Sequence, residues 1–358
     1  MNASFQNGIK RIKAKDLKLY QKKQAKWIPL DDMPKHTKDA VFHYSENKNL
    51  DILIDEISKD FLKGFLNSKE IPSGKRVKLL PSGKALARGG FSLFAKELTF
   101  NTKAKKTQWD VCYTNTSGLK TYLYSEDKLE LEHIKKAKLV DSFIKKYPEI
   151  ISKLERDLKT KKTIEYLALY TLIKTHIRVG NLEYYLSHKH KGLTTLQKQD
   201  ITVNSKNNCV VFSFIGKDGV PQHVEKEFPA YYVEILQTIL NKKKKDDFVF
   251  TDINGHPLHS EVFSSILYNY TKEHFYPHII RSYYADTTIF QFLQENKRKS
   301  KLTKKDVEAK LFEVANELGH KKFNKKKNEW VLSYAVTIEN YIRPIYAQKM
   351  KKLYEHKA

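Results

Sequence analysis

The sequence predicts an α+β protein in two parts: a small N-terminal α/β portion, then a larger, mostly helical portion carrying a short antiparallel hairpin. Three observations predict this. Between residues 71 and 125, short apolar runs are punctuated by Pro72-Ser73-Gly74, Pro81-Ser82-Gly83 and Gly89-Gly90. From 126 onward the apolar residues recur mainly at helical spacing. Within that helical part, CVVFSFIGKDGV and HVEKEF read as two strands around a tight turn at Gly216-Lys217-Asp218-Gly219. A chain of 358 residues suggests two domains at roughly 150 residues each, and the change of pattern places them at 1–128 and 129–358.

Taken in order, residues 1–40 are basic and weakly patterned. Leu53, Ile54, Ile57, Phe61 and Phe65 recur near helical spacing, so 41–70 is expected to be helical. WDVCY, NTSG and LKTYLY read as strand, turn and strand. Residues 126–150 form a charged helix with Leu131, Ile134, Leu139 and Phe143 on one stripe. The run 163–186 is helical with a break near Gly180, and 229–242 is helical again. FVFTDINGHPLHS is a loop. Helices are expected at 260–273, 278–295 and 305–318, the last stopped by Gly319. KKFNKKKNEW is a basic connector, and VLSYAVTIENYI is a terminal helix broken by Pro344. No internal repeat is visible.

Composition narrows the function. Lys and Arg number 66 against 41 Asp and Glu, a net charge of +25. Self-repulsion on that scale points to a polyanionic partner, and nucleic acid comes first because neutralised phosphates supply most non-specific binding energy. Hydrophobic residues at 40% and aromatics at 12% supply a core and exclude a disordered or collagen-like chain. No run is long enough to span a bilayer, and MNASFQNGIKRIKAKD lacks the apolar stretch of a secretion signal. Cys112 and Cys209 are too few for a zinc cluster or a disulfide framework and read as small buried hydrophobes in a reducing compartment. There is no P-loop, no H-E-x-x-H and no dense carboxylate cluster. Scattered histidines such as His188 and His190 read as surface or capping residues.

What remains are isolated Arg, Lys, His and Tyr residues. Phosphoryl transfer can run on these alone: a nucleophile, cations for the nonbridging oxygens, and an acid for the leaving oxygen. Arg suits the second task because its planar fork pairs bidentately with phosphate and stays charged.

Several stretches bear on that chemistry in a fixed order. IRVGNLEYY, holding Arg178, is followed by GLTTL at 192–196. FSFIGKDGV holds Lys217, HIIRSYYADT holds Arg281, ELGH ends at His320, and ENYIRP holds Tyr341. Over roughly 160–345 this order and spacing resembles the catalytic domain of type IB DNA topoisomerases, the small poxvirus-like and bacterial kind. The N-terminal part resembles that family only weakly, through WDVCYTNTSGLKTYLY. The resemblance implies a two-lobed clamp around duplex DNA and relaxation of positive and negative supercoils without ATP, metal or other cofactor. It implies Tyr341 as nucleophile, Arg178, Arg281 and His320 as phosphate ligands, and Lys217 as general acid. A monomer is expected, with no membrane partner. The absence of the bacterial N-terminal wording leans toward a large DNA virus, hence a virion or cytoplasmic viral factory, with the bacterial nucleoid as the other setting.

Two alternatives stay open. His320 and Tyr341 stand 21 positions apart, the extra length being the basic stretch 321–330, whereas Tyr334 follows His320 by 14 and is the rival nucleophile. His278-x-x-Arg281 is wording similar to that of tyrosine recombinases, which share this catalytic lobe and chemistry. A non-catalytic DNA-binding protein of the same fold is disfavoured by the complete Arg, Lys, Arg, His, Tyr set.

Overall fold

The computed structural model describes residues 7–101, 109–296 and 303–355. The chain divides into two compact units, Met1–Ile134 and Lys135–Ala358, with the division inside one long helix. Among the described residues, no helix is long and apolar enough to cross a membrane.

In the first unit, β1 (Lys10–Ile12), β2 (Leu19–Lys23) and β3 (Lys26–Leu30) form an antiparallel meander, followed by helix α1 (Lys35–Glu46). Two short strands, β4 (Phe65–Leu66) and β5 (Pro72–Ser73), complete a sheet of order β3-β2-β1-β4-β5. A second sheet, β6-β7-β8, is built from Lys96–Phe100, Val111–Thr114 and Lys120–Leu123. Its β7–β8 hairpin is the strand-turn-strand read from WDVCYTNTSGLKTYLY.

Two expectations for this unit need correction. The weakly patterned stretch 1–40 contains three strands whose burial does not alternate: Arg11 and Ile12 are both buried, as are Leu19 and Tyr20, so the sequence carries no period-2 signal. The helix expected over 41–70 ends at Glu46. Beyond it, Lys13 bridges Phe61 and Ile54 bridges Leu62, so Phe61 and Phe65 serve strand-like segments. Asp55 decides the path. Its carboxylate accepts the amides of Ile57 and Ser58 at 2.9 and 3.1 Å, an Asx-type turn that competes with helix. Its other oxygen takes the buried Arg11 guanidinium at 2.8 Å. A tertiary ion pair thus overrides the local period.

In the second unit, α2 runs from Glu126 to Lys161, past the expected end at 150 and through Pro148. Its Phe143, Ile150, Leu154 and Leu158 are fully buried against α3 (Ile164–Thr175) and the helices after it, each contributing about 1.5–3 kcal/mol by burial. The break expected near Gly180 begins earlier, at His176, which caps α3 in the left-handed region with φ 54°. An extended stretch then leads to α4 (Leu182–His188), whose first turn is capped by the Asn181 side chain. A three-stranded sheet, β11-β10-β9, follows, from Ile201–Asn204, Cys209–Ile215 and Pro221–Glu227. Val210, Phe212 and Phe214 alternate inward along β10. Strand β9 was missed, being four residues with one buried side chain. Helices α5 (Ala230–Asn241), α6 (Ser260–Thr271), α7 (His278–Glu295) and α8 (Lys304–Glu317) lie close to their expected spans.

The basic stretch 321–330 is not a featureless connector. It is a hairpin of β12 (Lys321–Asn324) and β13 (Glu329–Leu332), with Phe323 opposite Trp330 and their rings 5.4 Å apart. The chain closes with α9 (Ala335–Tyr341) and α10 (Pro344–Glu355). Helix α7 serves two cores. Ile279 and Ile280 belong to the large core with α2, α3, α5 and α6, while Ala285, Ile289 and Phe292 pack with α8, α9 and Met350 of α10. Arg281 sits on α7 where one core gives way to the other.

Candidate active site

Each candidate side chain is placed by a local device. Arg178 lies in the extended stretch after α3, held edge to edge with 192–194: its carbonyl accepts the Leu193 amide at 2.7 Å, and that of Val179 accepts Thr194 at 2.7 Å. The approach is so close that a Cβ on Gly192 would lie 2.5 Å from the Gly180 nitrogen, which explains the glycine opening GLTTL. Lys217 stands exposed at the tip of the β10–β11 turn, where Asp218 and Gly219 both take positive φ.

His320 follows α8 in a Schellman arrangement. Gly319 takes φ 66°, and the His320 amide reaches back to Ala315 O at 2.8 Å. The Ser333 amide donates to His320 O at 3.0 Å, so the β12–β13 hairpin leaves the site and returns to it. The 21-residue interval between His320 and Tyr341 is therefore a closed excursion. Tyr341 is the last residue of α9. Pro344 cannot donate an amide and crowds Arg343 out of helical geometry, so the helix stops there. Arg343 is pinned just beyond, 2.7 Å from Asp286 of α7 and 2.6 Å from Asp141 of α2.

The structure brings the five together around Arg281, which is 4% exposed. Its guanidinium donates to the carbonyls of His176 and of Leu318, the latter at 2.8 Å. Nε lies 3.4 Å from the Tyr341 hydroxyl, and Nη2 lies 3.1 Å from His320 Nε2. A guanidinium only donates, so His320 Nε2 accepts, and Nδ1 carries the proton toward Thr337 Oγ1 at 2.8 Å. Arg178, Lys217, Arg281 and His320 line one cleft. Tyr341 does not line it and joins through Arg281 and by ring packing 5.0 Å from His320. Tyr334 is elsewhere: its hydroxyl donates to Glu308 at 3.2 Å and its ring packs on Phe312.

The electrostatics follow from crowding cations in a dry place. Burial, then Arg281 and Arg178, push His320 down to about 3. Burial and the surrounding cations do the same to His278. For Tyr341, burial would raise the phenol, but Arg281, Arg178 and Lys136 outweigh it and leave it below its ordinary value. Arg281 is lowered by burial to about 10 and stays charged at neutral pH.

Further participants were not among the candidate site residues, although the sequence reading noted His278 in the His278-x-x-Arg281 wording. His278 packs 5.0 Å from Tyr341; it is one turn before Arg281, so helical spacing was the available signal. Thr337 orients His320. His176 and Lys226 both hold Glu317 at 2.9 Å, bracing the segment whose carbonyl takes Arg281. Nothing local marks these last three. Cys112 and Cys209 are buried and free. Among the described residues, no group of His, Cys, Asp and Glu could hold a metal ion.

A family model of the eukaryotic DNA topoisomerase I catalytic core matches residues 126–353. The chain belongs to the type IB DNA topoisomerases. The family match covers all of the second unit's candidate residues. A relative, DNA topoisomerase 1B of Acanthamoeba polyphaga mimivirus, is 24% identical over 259 residues, covering 68% of this chain and 74% of that protein. Among solved structures, the XerH site-specific recombinase bound to difH before cleavage is similar at 17% identity and a TM-score of 0.32, over 51% of this chain and 50% of the recombinase. The post-cleavage complex gives 16%, 0.33, 58% and 50%. The chain thus spans about half the length of those recombinase chains.

Proposed function

We propose that this topoisomerase relaxes DNA supercoils of either sign by transient cleavage of one strand. The observation that carries this reading is the contact of Arg281 with both Tyr341 and His320, beside a cleft shared with Arg178 and Lys217. The Tyr341 oxygen attacks a backbone phosphorus. The P–O5′ bond breaks, its electron pair leaves on the 5′-oxygen, and Lys217 protonates that oxygen. The phenolic proton is lost to solvent. A 3′-phosphotyrosyl bond and a free 5′-hydroxyl result.

Arg178 and Arg281 hold the nonbridging oxygens as charge develops, and His320 joins them once its proton sits on Nε2 and the Thr337 hydroxyl donates to Nδ1 instead. Tyr341 is only 4% exposed, so its hydroxyl swings toward the cleft when DNA arrives. Rejoining reverses the step, and the covalent bond retains the phosphodiester energy, so no ATP is consumed. Side chains supply the cations that a metal would otherwise provide. A monomer closing its two units around the duplex as a clamp completes the reading.

The test is relaxation of positively and negatively supercoiled plasmid in EDTA without ATP. Relaxation of both is expected; plasmid left supercoiled at stoichiometric enzyme would sink the proposal. His278, placed against Tyr341 in the His-x-x-Arg arrangement, favours a second reading as a recombinase. That reading requires strand exchange between paired sites by an assembly of four chains.

A further inference from the structure

Lys136 lies on α2, 204 positions before Asn340 in sequence, yet its ammonium donates to the Asn340 carbonyl and stands 5.3 Å from the centre of the Tyr341 ring. It is half-buried. Among the described residues it forms no ion pair; the nearby carboxylate of Asp286 is engaged by Arg343. A half-buried ammonium without a counter-ion is costly unless something offsets it. Here the offsets are one carbonyl, one aromatic face and a hydroxyl that becomes an anion during the reaction.

The groups facing Tyr341 are Arg281 at the hydroxyl, His278 and His320 at ring distances of 5.0 Å, Arg178 more remotely, and Lys136. The two arginines and His320 are the phosphate ligands of the proposed reaction. Once a phosphate binds, its negative charge engages them, and their pull on the phenol weakens. The two remaining neighbours differ: His278 is neutral, its basicity depressed by burial and by Arg281 and Lys136. Lys136 is the cation left to face the nucleophile.

We propose that Lys136 is a positioning residue for DNA cleavage, fixing the Asn340–Tyr341 end of α9 and favouring the phenolate form of Tyr341. The inference rests on the reading of Tyr341 as nucleophile. It assigns Lys136 to nucleophile activation, distinct from the role of Lys217 on the leaving group.

The experiment is single-turnover cleavage as a function of pH, on duplex DNA carrying a cleavage site mapped on plasmid. Wild type, Lys136→Met, Lys136→Gln, Lys136→Arg and Lys217→Ala are compared, with normal and bridging 5′-phosphorothiolate substrates. Lys136→Met is expected to bind DNA within about threefold of wild type and to cleave roughly tenfold more slowly at neutral pH, because each unit of phenol pKa is a tenfold change in phenolate. The slow rate should recover as pH rises. Lys136→Arg should restore most of it, and Lys136→Gln, which keeps a donor without the charge, should not. The phosphorothiolate should rescue Lys217→Ala and leave Lys136→Met slow.

A wild-type rate and profile in Lys136→Met overturns the inference. So does a defect unchanged by pH, one absent in Lys136→Gln, or one repaired by the phosphorothiolate. Should Lys136→Met fail to fold, Lys136→Gln carries the same comparison. Failure of the underlying reading looks different: the wild-type protein itself would form no covalent adduct.

Discussion

Tyr341 and Tyr334 stand seven residues apart, and only their partners distinguish them. Tyr341 faces Arg281, while Tyr334 donates to Glu308. Tyr341→Phe should bind duplex DNA almost normally and form no covalent adduct even after long incubation. Tyr334→Phe should retain most activity, since one hydrogen bond is worth about 0.5–1.5 kcal/mol. Trapping adducts with detergent and mapping the modified peptide by mass spectrometry checks both, and a DNA-linked peptide containing Tyr334 would reverse the assignment.

The buried imidazoles of His278 and His320 give a second residue-scale prediction. Their folded values lie near 3, against an ordinary 6.5 when unfolded. Between those limits the unfolded chain binds more protons, so stability is present at neutral pH and falls as pH drops from about 6.5 toward 3. Urea midpoints at pH 7 and pH 5 should differ more for the wild type than for a His278→Gln/His320→Gln variant. Equal differences would show that these rings are charged in the folded protein.

At the scale of elements, the end of α9 is held by an ion pair one helix away. Asp286 of α7 is buried, and Arg343, two positions after Tyr341, contacts it. Burial raises the Asp286 carboxyl and Arg343 opposes that rise. Arg343→Met removes the counter-charge and should destabilise the protein by about 3–5 kcal/mol, the range for breaking a buried pair. Asp286→Asn added to Arg343→Met should recover a large part of that loss in chemical denaturation, because the stranded charge is gone. No recovery would mean that Arg343 acts through its exposed contact with Asp141. The β12–β13 hairpin, like β1 to β3 and β9, is an element whose nature sequence reading missed. Neither strand buries alternate residues, and the pairing of Phe323 with Trp330 is apparent only when the strands are opposed.

For the whole molecule, the charge of +25 predicts steep salt dependence of DNA binding. Each phosphate contact contributes roughly 0.9 to the slope of log affinity against log salt. The turn of the hairpin carries Lys325, Lys326 and Lys327. Replacing all three with Gln should lower the slope by up to about 3 if each contacts a phosphate. An unchanged slope from fluorescence anisotropy titrations would place the hairpin away from DNA.

Much of the fold and most of the candidate site were legible in the sequence because the information is local. Helices α5 to α8 follow apolar periodicity. The β10–β11 turn follows Gly-Lys-Asp-Gly, and the stop before His320 follows a glycine that can take positive φ. The five candidate residues sit in short motifs that are legible one by one, although Arg281 is held by His176, Leu318, His320 and Tyr341 from elsewhere in the chain. Tertiary structure decided what no local pattern encodes. Asp55 bends the chain away from helix because Arg11 arrives from 44 positions away. Arg281 sets the tautomer of His320 from 39 positions away, and Lys136 reaches Asn340 across 204 positions. Local sequence sets backbone preferences and apolar period. The charge state and orientation of a buried group depend on the partners that packing supplies, and those partners are distant in the chain.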